Sequence, residues 1–176
     1  MADLLPEKWM KAMAVTTTVL GVAASIGSSR SSYYITKAQQ YTALEGSQWA
    51  YYQAKSIKQD LFLTQIKSLQ VQLAGATTPS QKDLLQQTMD ETAKDVARYD
   101  KEKADIKKEA EHINKENALL GTRGSQFSLS IVFAQIGIML SSVGLLLKRE
   151  KLWYVGLVMG VISLFFLANG FFLFLR

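Results

Sequence analysis

The chain has 176 residues, with 20 Lys and Arg against 15 Asp and Glu, a formal charge of +5, and no cysteine. This length fits one ordinary domain, and the lack of thiols excludes disulfides, thiolate catalysis and Cys-based zinc sites. The positive balance does not describe a nucleic-acid surface, because the 14 basic residues from Arg30 to Arg123 are interspersed with 12 acidic ones, the mark of a solvated helical face rather than a phosphate-binding stripe.

Lys11 and Arg30 bracket an uncharged interval, and Met10–Ser29 predicts a first membrane helix. Thr16, Thr17, Thr18, Gly21, Ser25 and Gly27 make it only modestly apolar, so it is expected to pack on other helices rather than face lipid all round. Lys8 and Lys11 imitate the basic start of a signal peptide, but Asp3 and Glu7 dilute it and the apolar stretch is long for such a segment. Residues 1–29 are therefore read as an uncleaved signal anchor.

Residues 30–126 carry helical spacing between two apolar regions and predict one long helical hairpin with its turn at 77–80. In the first arm Phe62, Ile66, Leu69 and Leu73 form a seam near the turn that fades toward the N-terminus. Where it fades, Trp49, Tyr51, Tyr52, Lys55 and Lys58 follow one another closely. Adjacent helical positions lie about 100° apart, so these side chains cannot all meet a single facing helix. They form the candidate assembly or partner surface, since aromatics and cations concentrate in binding hot spots.

The run Gln48-Trp-Ala-Tyr-Tyr-Gln-Ala-Lys-Ser-Ile-Lys58, between an N-terminal membrane helix and a C-terminal membrane pair, resembles the bacterial domain of unknown function forty-three thirty-seven. The resemblance covers most of the chain in layout. It implies a bacterial membrane protein and supplies no activity and no catalytic residue.

Thr77-Thr78-Pro79-Ser80 marks the turn: proline ends the first helix, and Ser80 or Thr78 is a suitable cap for the second. From Leu85 through Met89, Thr92, Val96, Tyr99 and Lys103, then Ile106, Ala110, Ile113, Asn117 and Leu120, the second arm alternates steps of four and three. That is a coiled-coil seam sustained for five heptads. Folding about the turn is expected to bring Phe62 to Ala93 and Tyr52 level with Lys103, and to set Lys55 and Lys58 beside Asp95, Asp100 and Glu102 as cross-arm salt bridges. Lys103 and Asn117 are polar seam members of the kind that fix register.

His112 is the only histidine, and Asp105, Glu109, His112 and Glu116 share a face. Glu109-x-x-His112 has the spacing of carboxylate di-metal bundles, but only Glu45 faces it from the first arm, so a solvated charged face is the stronger reading. No phosphate loop, nucleophile elbow or dinucleotide fingerprint occurs. No catalytic, cofactor-binding or metal site is expected.

Phe127–Leu147 and Leu152–Leu175 each suffice to span hydrocarbon, so residues 127–176 predict a pair of membrane helices. Neither contains Asp, Glu, Lys, Arg or His, which argues against proton relays and ion-coupled transport. Gly156 and Gly160 form a GxxxG step; Gly137 with Ser141, and Gly21 with Ser25, are similar small-residue steps that favour close helix packing. Gln135 and Asn169 are neutral polar residues that need partners, and Asn169 is expected to hydrogen-bond Ser130. These four, Gln135, Gly156, Gly160 and Asn169, are the candidate membrane-packing or pore residues. Lys148-Arg149-Glu150-Lys151 joins the last two helices, and short basic loops stay in the cytoplasm. Three crossings then place the N-terminus inside, and the hairpin and Arg176 outside.

The expectation is an all-α integral membrane protein of the bacterial inner membrane, with three transmembrane helices and an extramembrane antiparallel coiled-coil hairpin. It is expected to contact lipid, to form a homo-oligomer, and to act without catalysis as an envelope scaffold or partner-binding module. A passive oligomeric channel is the alternative, and a metal-binding membrane protein a weaker one.

Overall fold

The structure, a computed structural model, describes residues 8–174. Asp3 and Glu7 of the N-terminal segment, and Leu175 and Arg176 at the other end, lie outside the described residues. Three helices follow in order: α1 (Lys8–Gly75), α2 (Pro79–Leu146) and α3 (Glu150–Phe172). Each contains a stretch long and apolar enough to cross a membrane.

The breaks between helices have local causes. α1 runs without proline to Gly75, and Ala76–Thr78 form the connection. Pro79 opens α2 at the first helical position, where its missing N–H has no intrahelical partner to lose. The Thr78 carbonyl accepts from the Lys82 N–H at 3.2 Å, the first bond of the new helix. α2 ends by a different device. Lys148 takes a left-handed conformation, φ 49°, and two bonds close over the end: Lys148 N–H to Leu145 O at 3.2 Å and Arg149 N–H to Gly144 O at 2.9 Å. This is a Schellman motif with lysine where glycine is usual. Glu150 then sits in the first turn of α3, where the helix dipole favours a carboxylate.

α1 and α2 each contribute to two compact units. One comprises Tyr41–Glu116; the other comprises described residues up to Gln40 and from Asn117 onward, including α3.

In the Tyr41–Glu116 unit the two helical arms run antiparallel, as Lys55–Glu102, Gln59–Asp100 and Phe62–Tyr99 show. Every seam position expected on α2 from Leu85 to Ile113 is half-buried or buried. The facing seam on α1 continues past the point where its apolar pattern fades. Tyr41, Glu45, Gln48, Tyr52, Lys55 and Gln59 carry the same four-and-three spacing and are all covered, ahead of Phe62, Ile66, Leu69 and Leu73. The register differs in detail from folding symmetrically about the turn: Phe62 stacks on Tyr99, centroids 5.7 Å apart, instead of meeting Ala93. Tyr99 is a seam residue and Ala93, which is exposed, is not; interlocking seam to seam decides the pairing.

The other unit packs around small residues. Phe127 is fully buried, stacked on Tyr34 at 5.6 Å and edge-on to Phe171 at 5.0 Å. Met13, Leu20 and Ala23 of α1 are its other buried apolar anchors, with Ala134 of α2. The end of α3 is met by two cations: Arg123 donates to Phe171 O at 3.1 Å, and the Arg30 guanidinium stands 5.6 Å from the Phe171 ring. Cations at a helix C-terminus oppose its negative dipole end.

Candidate functional site

The aromatic and basic cluster of α1 is partly turned inward. Lys55 is the pivot, because a seam position points it at α2. Its Nζ lies 2.6 Å from Glu102 Oε2 and 5.2 Å from the centroids of both the Tyr51 and Tyr99 rings. A cation between two aromatic faces gains from both quadrupoles. The hydrogen bond to Glu102 is the first cause holding the Lys55 ammonium above its ordinary pKa, and the same bond holds the Glu102 carboxyl below its own. Arg98 closes the arrangement from the α2 side, 2.9 Å from Asp95, 3.6 Å from Glu102 and 5.2 Å from the Tyr99 ring centroid.

One turn on, Gln59 is buried, and its side chain joins three groups of α2. Nε2 donates to Asp100 at 2.6 Å and to the Val96 carbonyl at 3.4 Å, while Oε1 accepts from Lys103 at 2.8 Å. The Lys103 ammonium also stands 5.3 Å from the Tyr52 ring centroid, where the two residues were expected to lie level. Trp49 packs edge-on to Tyr52 at 5.7 Å and donates to Glu45 at 3.4 Å; Glu45 accepts also from Asn114 at 3.0 Å.

Of the five candidate surface residues, then, Trp49, Tyr52 and Lys55 are half-buried, whereas Tyr51 and Lys58 are exposed. The expected bridge to Glu102 is made by Lys55; no ion pair of Lys58 is found among the described residues. Gln59 was not singled out from the sequence. Its signal was the seam spacing itself, followed through polar residues. Among the described residues no three His, Asp or Glu side chains gather as metal ligands. Glu109 and His112 are exposed, and Glu45 is engaged by Trp49 and Asn114.

In the other unit Gly156, Gly160 and Asn169 are buried and Gln135 is exposed. A Cβ on Gly156 would lie 2.9 Å from Gly137 O and 2.8 Å from Ser141 Oγ, and one on Gly160 would lie 2.9 Å from Leu20 Cδ2. The Gly137–Ser141 step thus faces the Gly156–Gly160 step within one chain. Gly21 has nothing within 4 Å of a built Cβ, so the Gly21–Ser25 step is not matched in this way. Ser130 is met by Ser163, whose Oγ donates to the Ser130 carbonyl at 2.8 Å. The buried residues of α3 are Gly156, Gly160, Ser163, Asn169 and Gly170. None of its large apolar residues is buried; they are half-buried or exposed, with Val158 56% and Val161 64% exposed.

The model of a family described as a domain of unknown function, DUF4337, matches residues 9–173. No curated protein and no solved structure matches.

Proposed function

The chain belongs to that family of unknown function, and we propose that it is a non-enzymatic, three-pass membrane protein that self-associates. In this reading the charged hairpin acts as a scaffold or partner-binding module of the bacterial envelope.

The observation that carries it is the inverted packing around α3. The buried residues are glycine, serine and asparagine, while Val155, Val158, Val161, Leu164 and Phe165 are exposed. In water such a face would be an aggregation liability. In a bilayer, lipid tails are as apolar as leucine, so helices associate through small residues and hydrogen bonds instead. The Ser130–Ser163 bonds and the Gly137–Gly156 approach are contacts of that kind. The basic Lys148–Lys151 loop supports placing that end in the cytoplasm and the hairpin on the outer side of the inner membrane.

A scaffold rather than an enzyme is favoured by the way the charged and aromatic groups are spent. Lys55, Gln59 and Lys103 are tied to Glu102, Asp100 and each other across the arms. They cross-link and stiffen the hairpin.

The test is carbonate extraction of membranes, molar mass in mild detergent, and thiol labelling of Thr78→Cys in intact cells. The expected result is a carbonate-resistant oligomer whose introduced thiol labels from outside. Release by carbonate overturns the membrane reading, a monomer overturns self-association, and labelling only after lysis overturns the orientation.

A further inference from the structure

α1 carries a second heptad stripe, on the side opposite the seam. Ala43, Ala50, Ile57, Thr64 and Val71 recur every seven residues. Ser47, Ala54, Leu61 and Ser68 fill the alternate positions, so the steps are again four and three throughout. All nine are exposed, Ile57 by 61%, Leu61 by 65% and Val71 by 75%. None is charged.

The charge census of the two arms shows that this face is unusual. Between Pro79 and Glu116, α2 has 18 charged residues; between Tyr41 and Gly75, α1 has five. Two of those five, Glu45 and Lys55, are seam members. Only Lys58, Asp60 and Lys67 remain, and they sit beside the stripe. A helix whose outer side faces water carries polar and charged residues there; α2 is densely charged, whereas the α1 stripe carries no charge and sets Ser47, Thr64 and Ser68 among alanine, isoleucine, leucine and valine. Uncharged heptads bordered by isolated charges are the pattern of a coiled-coil seam awaiting its partner.

We propose that the stripe from Ala43 to Val71 docks a second copy of this chain, α1 against α1, parallel and in register. The inference rests on the self-association proposed above and names its surface. Copies inserted in one bilayer with the same topology run their α1 helices the same way, which selects the parallel arrangement. In that register the flanking positions that meet lie five residues apart. Lys58 then faces Gln53 of the second copy, Asp60 faces Gln65 and Lys67 faces Gln72, so no like charges meet. Alanine and serine at the contact allow close helix approach, with Ile57, Leu61 and Val71 supplying the larger apolar area. The stripe with its flanking positions makes about twenty residues, the number found on one side of an interface of standard size.

The natural absence of cysteine makes single-cysteine scanning direct. Full-length Ala50→Cys, Ala54→Cys and Ser68→Cys are oxidised in mild detergent beside Ala104→Cys, an exposed position on α2. A disulfide needs Cα atoms within about 7 Å, so the three stripe variants are expected to form disulfide-linked dimers and Ala104→Cys to remain unlinked. Leu61→Glu is expected to weaken association at least tenfold with helix content unchanged. An oligomer that does not cross-link at the stripe, or that Leu61→Glu leaves intact, overturns this surface while self-association stands. Linkage at one stripe position alone indicates crossing helices and overturns the register. A monomeric wild-type chain overturns both proposals.

Discussion

Lys103 donates a hydrogen bond to Gln59 Oε1 at 2.8 Å, joining two polar seam positions across the hairpin. Because Gln59 also donates to Asp100 and to the Val96 carbonyl, one buried amide holds a layer in which an apolar residue would be usual. Gln59→Ala removes the buried amide that joins Lys103, Asp100 and the Val96 carbonyl. The expected loss is about 1–3 kcal/mol, read as a lower denaturation midpoint of the full-length protein in detergent. An unchanged midpoint would show that the layer contributes nothing.

The Lys55–Glu102 pair predicts a pH window. Glu102 is held below its ordinary carboxyl value by its bond to Lys55, so its contribution is present above about pH 4.5 and is lost as pH falls through the lowered value. Lys55 is held above its ordinary 10.5, so its contribution is full below that pH and is lost as pH rises through the raised value. The melting-temperature gap between wild type and Glu102→Gln should be widest near neutrality and should close in strong acid. A gap independent of pH would exclude the ion pair as its source.

Close approach of α2 and α3 makes Gly156 intolerant of a methyl group. Its Cβ would lie 2.9 Å from the Gly137 carbonyl, which is backbone and cannot swing aside. Gly156→Ala is expected to cost about 1–3 kcal/mol through overpacking. Gly21→Ala, with nothing within 4 Å, should be neutral or slightly stabilising. Thermal unfolding in detergent compares the two directly, and equal behaviour would remove the argument.

Lys148 occupies a left-handed position that glycine accepts without steric cost. Lys148→Gly is expected to raise stability by about 1 kcal/mol. The same change removes one of three basic residues from the loop, so labelling at Thr78→Cys should be repeated in that background. A lower melting temperature would contradict the strain argument.

How much could be read in advance differs between the arms. The α2 seam from Leu85 to Ile113 was legible because most of its members are apolar, and apolar spacing by itself states which side is covered. The α1 seam was legible only from Phe62 to Leu73. Farther back it consists of Tyr41, Glu45, Gln48, Tyr52, Lys55 and Gln59, residues that ordinarily mark a solvated face. They are covered because each lies on the side that meets α2, tens of residues away in the chain. The excess of aromatics from Trp49 to Tyr52 looked like surface without a partner for the same reason, although Tyr52 and Trp49 pack on each other and Lys103 comes down on Tyr52. The small-residue steps were visible as motifs, but not which would match. Gly137–Ser141 meets Gly156–Gly160, whereas a Cβ on Gly21 would have nothing within 4 Å.

By itself the sequence determined what is local: three helices with apolar stretches, a break at Pro79, a basic break at Lys148–Lys151, and the α2 seam. Propensity, proline and charge act within a few residues of where they stand. Only the tertiary structure decided which side of α1 faces α2, that Lys55 rather than Lys58 pairs with Glu102, and that Ser163 meets Ser130. Those outcomes depend on the register between helices. A polar side chain is placed by the group it meets across the interface, and its own spacing does not reveal that partner.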